Sequence, residues 1–207
     1  MKALIIVDLQ NDFCPGGALP VKEGNEIVKT INDLMNDFDL VVATQDWHPK
    51  DHLSFASNHG KNVGEIIQLD GLSQILWPDH CVQNTTGAEF VQNLQIDKIC
   101  KVFQKGTDKN IDSYSGFFDN RHFNTTGLDS YLKEKNVDEL FITGLATDYC
   151  VKFTALDAIG LGLKANLIID ACKGVELNVG DIDKAVQEMR SKGINIISSD
   201  DVLYKTR

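Results

Sequence analysis

The sequence predicts an α/β fold, a three-layer sandwich in which a six-stranded, mostly parallel sheet carries helices on both faces. Three observations predict it. Six short runs are almost wholly apolar and rich in β-branched residues, as expected of strands buried on both faces and therefore of a parallel sheet. Most of the stretches between them place apolar residues at helical spacing. The two patterns alternate along the chain, which implies layers joined by right-handed crossovers.

Taken in order, the first strand is Ala3–Val7. The opening Met-Lys-Ala-Leu-Ile-Ile-Val-Asp has the outline of a short signal sequence. It lacks a long apolar core and a small-residue cleavage site, and an acid arrives at position 8, so it reads as a strand. Ile27, Ile31, Leu34, Met35 and Phe38 then form a helical stripe before the second strand, Leu40–Ala43. Lys98–Phe103 is the third strand and Leu128–Lys135 the next helix. Leu140–Thr143 is the fourth strand, followed by a helix over Asp148–Leu161 with Val151, Ala155, Leu156 and Ile159 on one face. Thr147 or Asp148 is placed to cap that helix. Gly160-Leu-Gly162 follows a helix, precedes a strand and lacks a third glycine, so it is a helix end and turn rather than a nucleotide fingerprint. Asn166–Ile169, a helix over Asp181–Lys192 and Ile194–Ile197 complete the set.

One region breaks the alternation. From Gln45 to about Asp97 there is little regular periodicity, and the segment carries Pro49, Pro78, several glycines and four of the five histidines. A loop of that length inside a compact domain is usually functional. This one leaves the C-terminal end of a strand, the edge at which open α/β sheets bind ligands.

The length of 207 residues fits a single domain over residues 1–207 with a full core. A net charge of −10 and the lack of any long basic tract argue against nucleic acid or an anionic membrane as partner. No apolar run approaches the ~20 residues of a membrane span. Five cysteines, at 14, 81, 100, 150 and 172, are odd in number, widely spaced and free of any CxxC. That usage fits free thiols in a reducing, cytoplasmic compartment. The acidic surface is compatible with a monomer or a homo-oligomer.

Several strand ends carry chemistry. Cys150 falls where the fourth strand gives way to a helix, so its thiol lies near unpaired backbone N–H groups and the positive end of the helix dipole, which favour a thiolate. A small buried hydrophobe is the other reading of the same cysteine. Asp8 ends the first strand at the same sheet edge, either as a solvated terminus or as the thiol's acid/base partner with a pKa raised by burial. Lys105 follows the third strand, either solvated or holding a thiolate and a carboxylate in place. In the long loop, Asp46 and His48 lie two residues apart on one side of an extended chain, with His52 and His80 able to fold back. An aspartate with two or three imidazoles suits a borderline divalent ion such as zinc, iron or manganese, and solvated loop histidines are the alternative. His59 and His122 read as surface residues.

The stretches Ile6-Val-Asp-Leu-Gln-Asn-Asp-Phe13, Thr44-Gln-Asp-Trp-His-Pro49, Trp77-Pro-Asp-His-Cys-Val82, Phe103-Gln-Lys-Gly106, Asp112-Ser-Tyr-Ser-Gly-Phe117 and Gly144-Leu-Ala-Thr-Asp-Tyr-Cys-Val151 closely resemble the nicotinamidases (pyrazinamidases) of the isochorismatase-like cysteine hydrolases. The match runs in order along essentially the whole chain. The resemblance implies a Rossmann-like sandwich and hydrolysis of nicotinamide, and of pyrazinamide, in NAD salvage, with no nucleotide cofactor. It implies Asp8, Lys105 and Cys150 as a catalytic triad and Asp46, His48 and His80 as ligands of a divalent metal. His52 matches a position that is a direct ligand in some members and lies behind the ligands in others. Phe13, Trp77 and Tyr114 match the walls of an aromatic substrate pocket. The peptide before Ala146 matches one that is cis in the family, where the N–H groups of Ala146 and Cys150 form the oxyanion hole. Two rivals remain. One is another superfamily amidase or hydrolase acting on a different small amide or on isochorismate, which the metal motif argues against. The other is a non-enzymatic metal- or thiol-binding module, which the lack of a resolving cysteine near Cys150 argues against.

Overall fold

The computed structural model describes residues 1–203. Its main sheet contains β1 (Lys2–Val7), β2 (Leu40–Asp46), β5 (Lys101–Lys105), β6 (Glu139–Leu145), β7 (Lys164–Lys173) and β8 (Asn195–Ile197), in the order β5-β2-β1-β6-β7-β8. Every neighbouring pair is parallel. β2 is buried along its whole length, as the apolar run Leu40–Ala43 demands when both faces of a sheet are covered, and its polar end, Thr44, Gln45 and Asp46, is buried as well.

Alternate residues of each strand feed two cores. Leu4, Ile6, Val41 and Ala43 pack on one face with Val28, Ile31 and Leu34 of α1 (Val28–Leu34), and Val202 of α5 (Asp200–Leu203) joins them. Ala3, Ile5, Val7 and Val42 pack on the other face. They meet Leu128 and Leu132 of α2 (Leu128–Glu134), Ala155 and Ala158 of α3 (Lys152–Gly160), and Met189 of α4 (Asp181–Ser191). Each large side chain buried this way contributes about 1.5–3 kcal/mol of hydrophobic transfer free energy. The three layers are those expected from the sequence.

Three local expectations need correction. The stripe from Ile27 to Phe38 makes only a two-turn α-helix, flanked by 3₁₀ turns at Gly24–Ile27 and Met35–Asp37. The long loop is not devoid of regular structure, because β3 (Ile66–Leu69) and β4 (Leu72–Ile75) form an antiparallel hairpin within it. Asp70 and Gly71 join them, both at positive φ (46° and 84°), as the mirror-image hairpin turns favoured by Asp-Gly require. The helix after β6 begins as a π-helical turn over Thr147–Val151. Neither Thr147 nor Asp148 caps it through a side chain.

The strand order places the working edge. β1 runs outward to β2 and β5 on one side, while β6, β7 and β8 extend on the other. The order therefore reverses between β1 and β6, and ligands of open α/β sheets lie outside the carboxyl ends of strands at such a point.

Candidate active site

Four adjacent strands, β5, β2, β1 and β6, end at this edge, and the chemistry-bearing residues stand at or just past those ends. Lys105 closes β5 and Asp46 closes β2, as direct register partners. Asp8 follows β1 with φ of 46°. Ala146 and the turn containing Cys150 follow β6.

Lys105 has a fully buried side chain and makes three hydrogen bonds. Its ammonium donates to Asp46 Oδ1 (2.6 Å), to the Ser113 carbonyl (2.9 Å) and to Cys150 Sγ (3.4 Å). An ammonium has three donors, so these contacts use all of them. Asp8 Oδ2 lies 2.9 Å from the same nitrogen yet receives no hydrogen bond. It is held by charge alone and remains open to a proton. Asp8 Oδ1, in contrast, accepts the Thr44 hydroxyl (2.6 Å).

Burial sets the protonation states. Desolvation raises the Asp8 pKa, with Lys105 pulling it down and Asp46 pushing it further up. Desolvation also drives the Cys150 thiol well above its usual value, against the pull of Lys105. The expected dipole-stabilised thiolate gives way to a thiol whose pKa is raised, because burial and the carboxylates of Asp8 and Asp46 outweigh Lys105. Desolvation would lower the Lys105 pKa, but Asp46, Asp8 and Cys150 outweigh it and hold the ammonium charged.

Asp46 joins this cluster to a second one. Its Oδ1 accepts from Lys105 while Oδ2 lies 3.4 Å from His48 Nε2 and 3.8 Å from His80 Nε2. Burial would raise its pKa, but Lys105 and His48 hold the carboxyl ionised, well below the usual range. Gln10 fixes the Asp46 backbone from both sides, accepting its N–H and donating to its carbonyl, each at 2.8 Å. His48 Nδ1 donates to the Gly106 carbonyl (3.0 Å) and His80 Nδ1 to the Pro78 carbonyl (2.7 Å). In each neutral ring those bonds leave the lone pair on Nε2, and in His48 burial is outweighed by the pull of Asp46, which raises the imidazole pKa. Gly106 is required for this fit, since a Cβ there would lie 2.3 Å from His48 Cε1. Donor atoms of Asp46, His48 and His80 all lie within 4.8 Å of one another. Burial, then His48, pushes His80 down to about 4, so its imidazole is neutral and available as a ligand at neutral pH. The donor set fits a divalent ion.

His52 is arranged differently. The Ser54 backbone N–H donates to its Nδ1 (3.2 Å), and Ser54 Oγ lies 2.7 Å from the same nitrogen. Nδ1 therefore holds a lone pair and the neutral ring bears its proton on Nε2. That nitrogen is buried without a hydrogen-bond partner. His52 clusters with His48 and Asp112 rather than with Asp46 and His80.

The two clusters open on one pocket lined by Phe13, Asp46, Trp77, His80, Asp112, Tyr114, Ala146, Tyr149 and Cys150, with Leu19 and Val175 beside them. Phe13 lies 5.5 Å from the His80 ring, and Trp77 Nε1 donates to the Tyr114 hydroxyl (3.2 Å). The Leu145–Ala146 peptide is cis. The Ala146 carbonyl turns back to accept the N–H groups of Tyr149 (3.0 Å) and Val151 (3.1 Å). A larger cavity between the β3–β4 hairpin and the segment at 110–122 shares Asp112 and Tyr114 but is lined by no cysteine. His59, bonded to the Leu53 carbonyl, and the exposed His122 lie outside the site.

Sequence reasoning missed Tyr149, Asp112 and Val175 as pocket residues. Tyr149 and Asp112 stand inside recognised motifs, next to Cys150 and at the head of Asp112-Ser-Tyr. Val175 has no local signal, because only the β6–β7 pairing brings it near Cys150.

A family model for the isochorismatase domain matches residues 2–201. The chain is 50% identical over 199 residues to the nicotinamidase of Escherichia coli K12, covering 94% of this chain and 93% of that one. Its structure superposes with a TM-score of 0.95 on a nicotinamidase/pyrazinamidase of Acinetobacter baumanii, 49% identical and covering 98% of each chain. A pyrazinamidase of Pyrococcus horikoshii solved in complex with zinc is 41% identical, with a TM-score of 0.78 over 95% of this chain and 98% of the other.

Proposed function

This chain belongs to the isochorismatase family, and on that premise we propose that it hydrolyses nicotinamide to nicotinate and ammonia, and pyrazinamide likewise, in NAD salvage. It is an amidase whose described residues form one hydrolase domain, with the segment at 45–97 supplying His48, His52 and His80. The observation that carries the reading is Lys105, whose buried ammonium touches Cys150, Asp8 and Asp46 at once. It ties a nucleophile and its base to a cluster of metal-ligand type around one aromatic pocket. With none of the five cysteines in a disulfide, we place the protein in the cytoplasm. No helix among the described residues is long and apolar enough to cross a membrane.

Asp46, His48 and His80 would hold a divalent ion, which we assign as zinc. Bound there, the ion would supply Lewis acidity toward the pyridine ring. Phe13, Trp77 and Tyr114 wall the ring and set the carboxamide against Cys150. Asp8 Oδ2, the carboxylate oxygen without a hydrogen bond, takes the Cys150 proton as sulfur attacks the amide carbon. The N–H groups of Ala146 and Cys150 receive the developing oxyanion. Asp8 returns the proton to the leaving nitrogen, the C–N bond breaks, and ammonia departs from a thioester. Water then gives a proton to Asp8 and its oxygen to the acyl carbon. The C–S bond breaks, nicotinate leaves, and the proton restores the thiol. Lys105 stays charged throughout and offsets the negative charge that passes between Asp8 and sulfur.

Two tests follow from the metal side. Chelation is expected to remove at least about 90% of ammonia release from nicotinamide, and zinc to restore more of it than manganese or iron. Full turnover by protein shown to be metal-free would contradict the reading. Because His52 offers an N–H rather than a lone pair, His52→Gln is expected to retain bound metal by elemental analysis. His48→Ala is expected to lose it, as ligand deletion does. Loss of metal in both variants would make His52 a ligand.

A further inference from the structure

Asp148 stands two residues before Cys150, inside the π-helical turn, and the chemistry above does not use it. Its sequence position suits a helix cap, but its carboxylate leaves its own helix and reaches across to the segment after β7. Oδ1 accepts the Val175 N–H (2.9 Å) and Oδ2 accepts the Glu176 N–H (2.8 Å). Asp148 is itself buried, and the two bonds it accepts are part-buried. The clamped segment has no room to drift inward: a Cβ on Gly174 would lie 2.5 Å from Ile182 Cγ1 and 3.0 Å from Asp148 Oδ1. Glu176 sits at φ of 52°, a turn that the clamp on its N–H holds. Beyond it the chain faces solvent, with Leu177 at 50% and Val179 at 98% exposure. Val175 alone turns inward to line the pocket beside Cys150, Ala146 and Tyr149. The exposed part of the loop is otherwise held by its own surface bonds, from the Gly180 N–H to Glu176 Oε1 (3.0 Å) and from the Asn178 N–H to Asp181 Oδ2 (2.9 Å), and loops with few buried contacts open easily.

We propose that Asp148 is a positioning residue that clamps Val175 against the substrate pocket, tying one wall of the pocket to the nucleophile's own turn. It acts on substrate binding through Val175 and touches no reacting atom. The role in binding rests on the amidase reading given above, whereas the clamp itself does not.

The test joins amide exchange to a double-mutant cycle. In wild type the Val175 and Glu176 amides are expected to be protected, and in Asp148→Ala to exchange at least about tenfold faster. Asp148→Ala and Val175→Ala are each expected to raise KM for nicotinamide about tenfold with kcat changed less than about threefold, the pattern of lost ground-state binding. Together they are expected to do no more than the worse of the two, because the second change removes what the first has already released. Should Asp148→Ala fail to fold, Gly174→Ala crowds the same carboxylate without deleting it and is expected to give the same KM rise. Multiplying KM effects, or a fall in kcat at unchanged KM, would overturn the positioning role. Unprotected amides in wild type would overturn the clamp. A metal-loaded wild type with no turnover would instead contradict the amidase reading and the binding role with it, while exchange at the two amides still decides the clamp.

Discussion

Cys150→Ala is expected to lower kcat for nicotinamide by at least about 10⁴-fold, the scale seen when a covalent nucleophile is deleted from a preorganised site. Among the described residues that line the pocket, Cys150 carries the thiol placed to attack, with Lys105 3.4 Å from its sulfur and Asp8 in the same cluster of donor atoms. Cys150 touches no metal-cluster side chain by a hydrogen bond: Gln10 holds the Asp46 backbone, Lys105 its carboxylate, and Gly106 and Pro78 the two imidazoles. Bound metal is therefore expected to remain at the wild-type level in the variant. Turnover above about 1% of wild type would mean that water attacks the amide directly and that no thioester forms.

Lys105→Met is expected to be nearly as damaging and to act on stability as well. The substitution keeps most of the volume but strips the counter-charge from Asp8 and Asp46, both buried carboxylates. Breaking a buried ion pair from one side costs about 3–5 kcal/mol, which lowers the melting temperature of a domain this size by roughly 10 °C. Loss of the cation also pushes the Asp8 pKa further up, because Lys105 is the main force holding it down against desolvation. Asp8 must be ionised to take the thiol proton, so the acid limb of kcat/KM is expected to move to higher pH. At neutral pH the rate is expected to fall at least about 100-fold. An unchanged acid limb would separate Asp8 from Lys105 and remove Asp8 as the base.

Much of this fold was legible in the sequence because parallel strands buried on both faces must be largely apolar, as β1 and the first four residues of β2 are. The β3–β4 hairpin escaped notice although Asp70-Gly71 is a strong turn signal. Its strands are short and only half buried, so no apolar run marks them. At the site, strand-end position singled out Asp8, Lys105 and Cys150, and residue type singled out Asp46 with His48 and His80. The resemblance added Phe13, Trp77 and Tyr114, which local patterns do not distinguish from core aromatics. Long-range contacts were not legible. Asp148 looks like a cap because a short acid before a helix usually is one, yet its partners lie 27 and 28 residues away. The sharing of Asp46 between Lys105 and two imidazoles depends on the register of β2 against β5, which no single stretch encodes. The state of the Cys150 thiol depends on burial, and burial is a property of the assembled site.

The most direct measurement is the yield of nicotinate and ammonia from nicotinamide by the metal-loaded wild-type chain, with acid-quenched protein weighed for an acyl adduct. The two products are expected in equal amounts, with a nicotinoyl group on Cys150 during turnover. A folded, metal-loaded chain that forms neither product would contradict the amidase reading, and equal products without any adduct on Cys150 under rapid quenching would contradict the thioester.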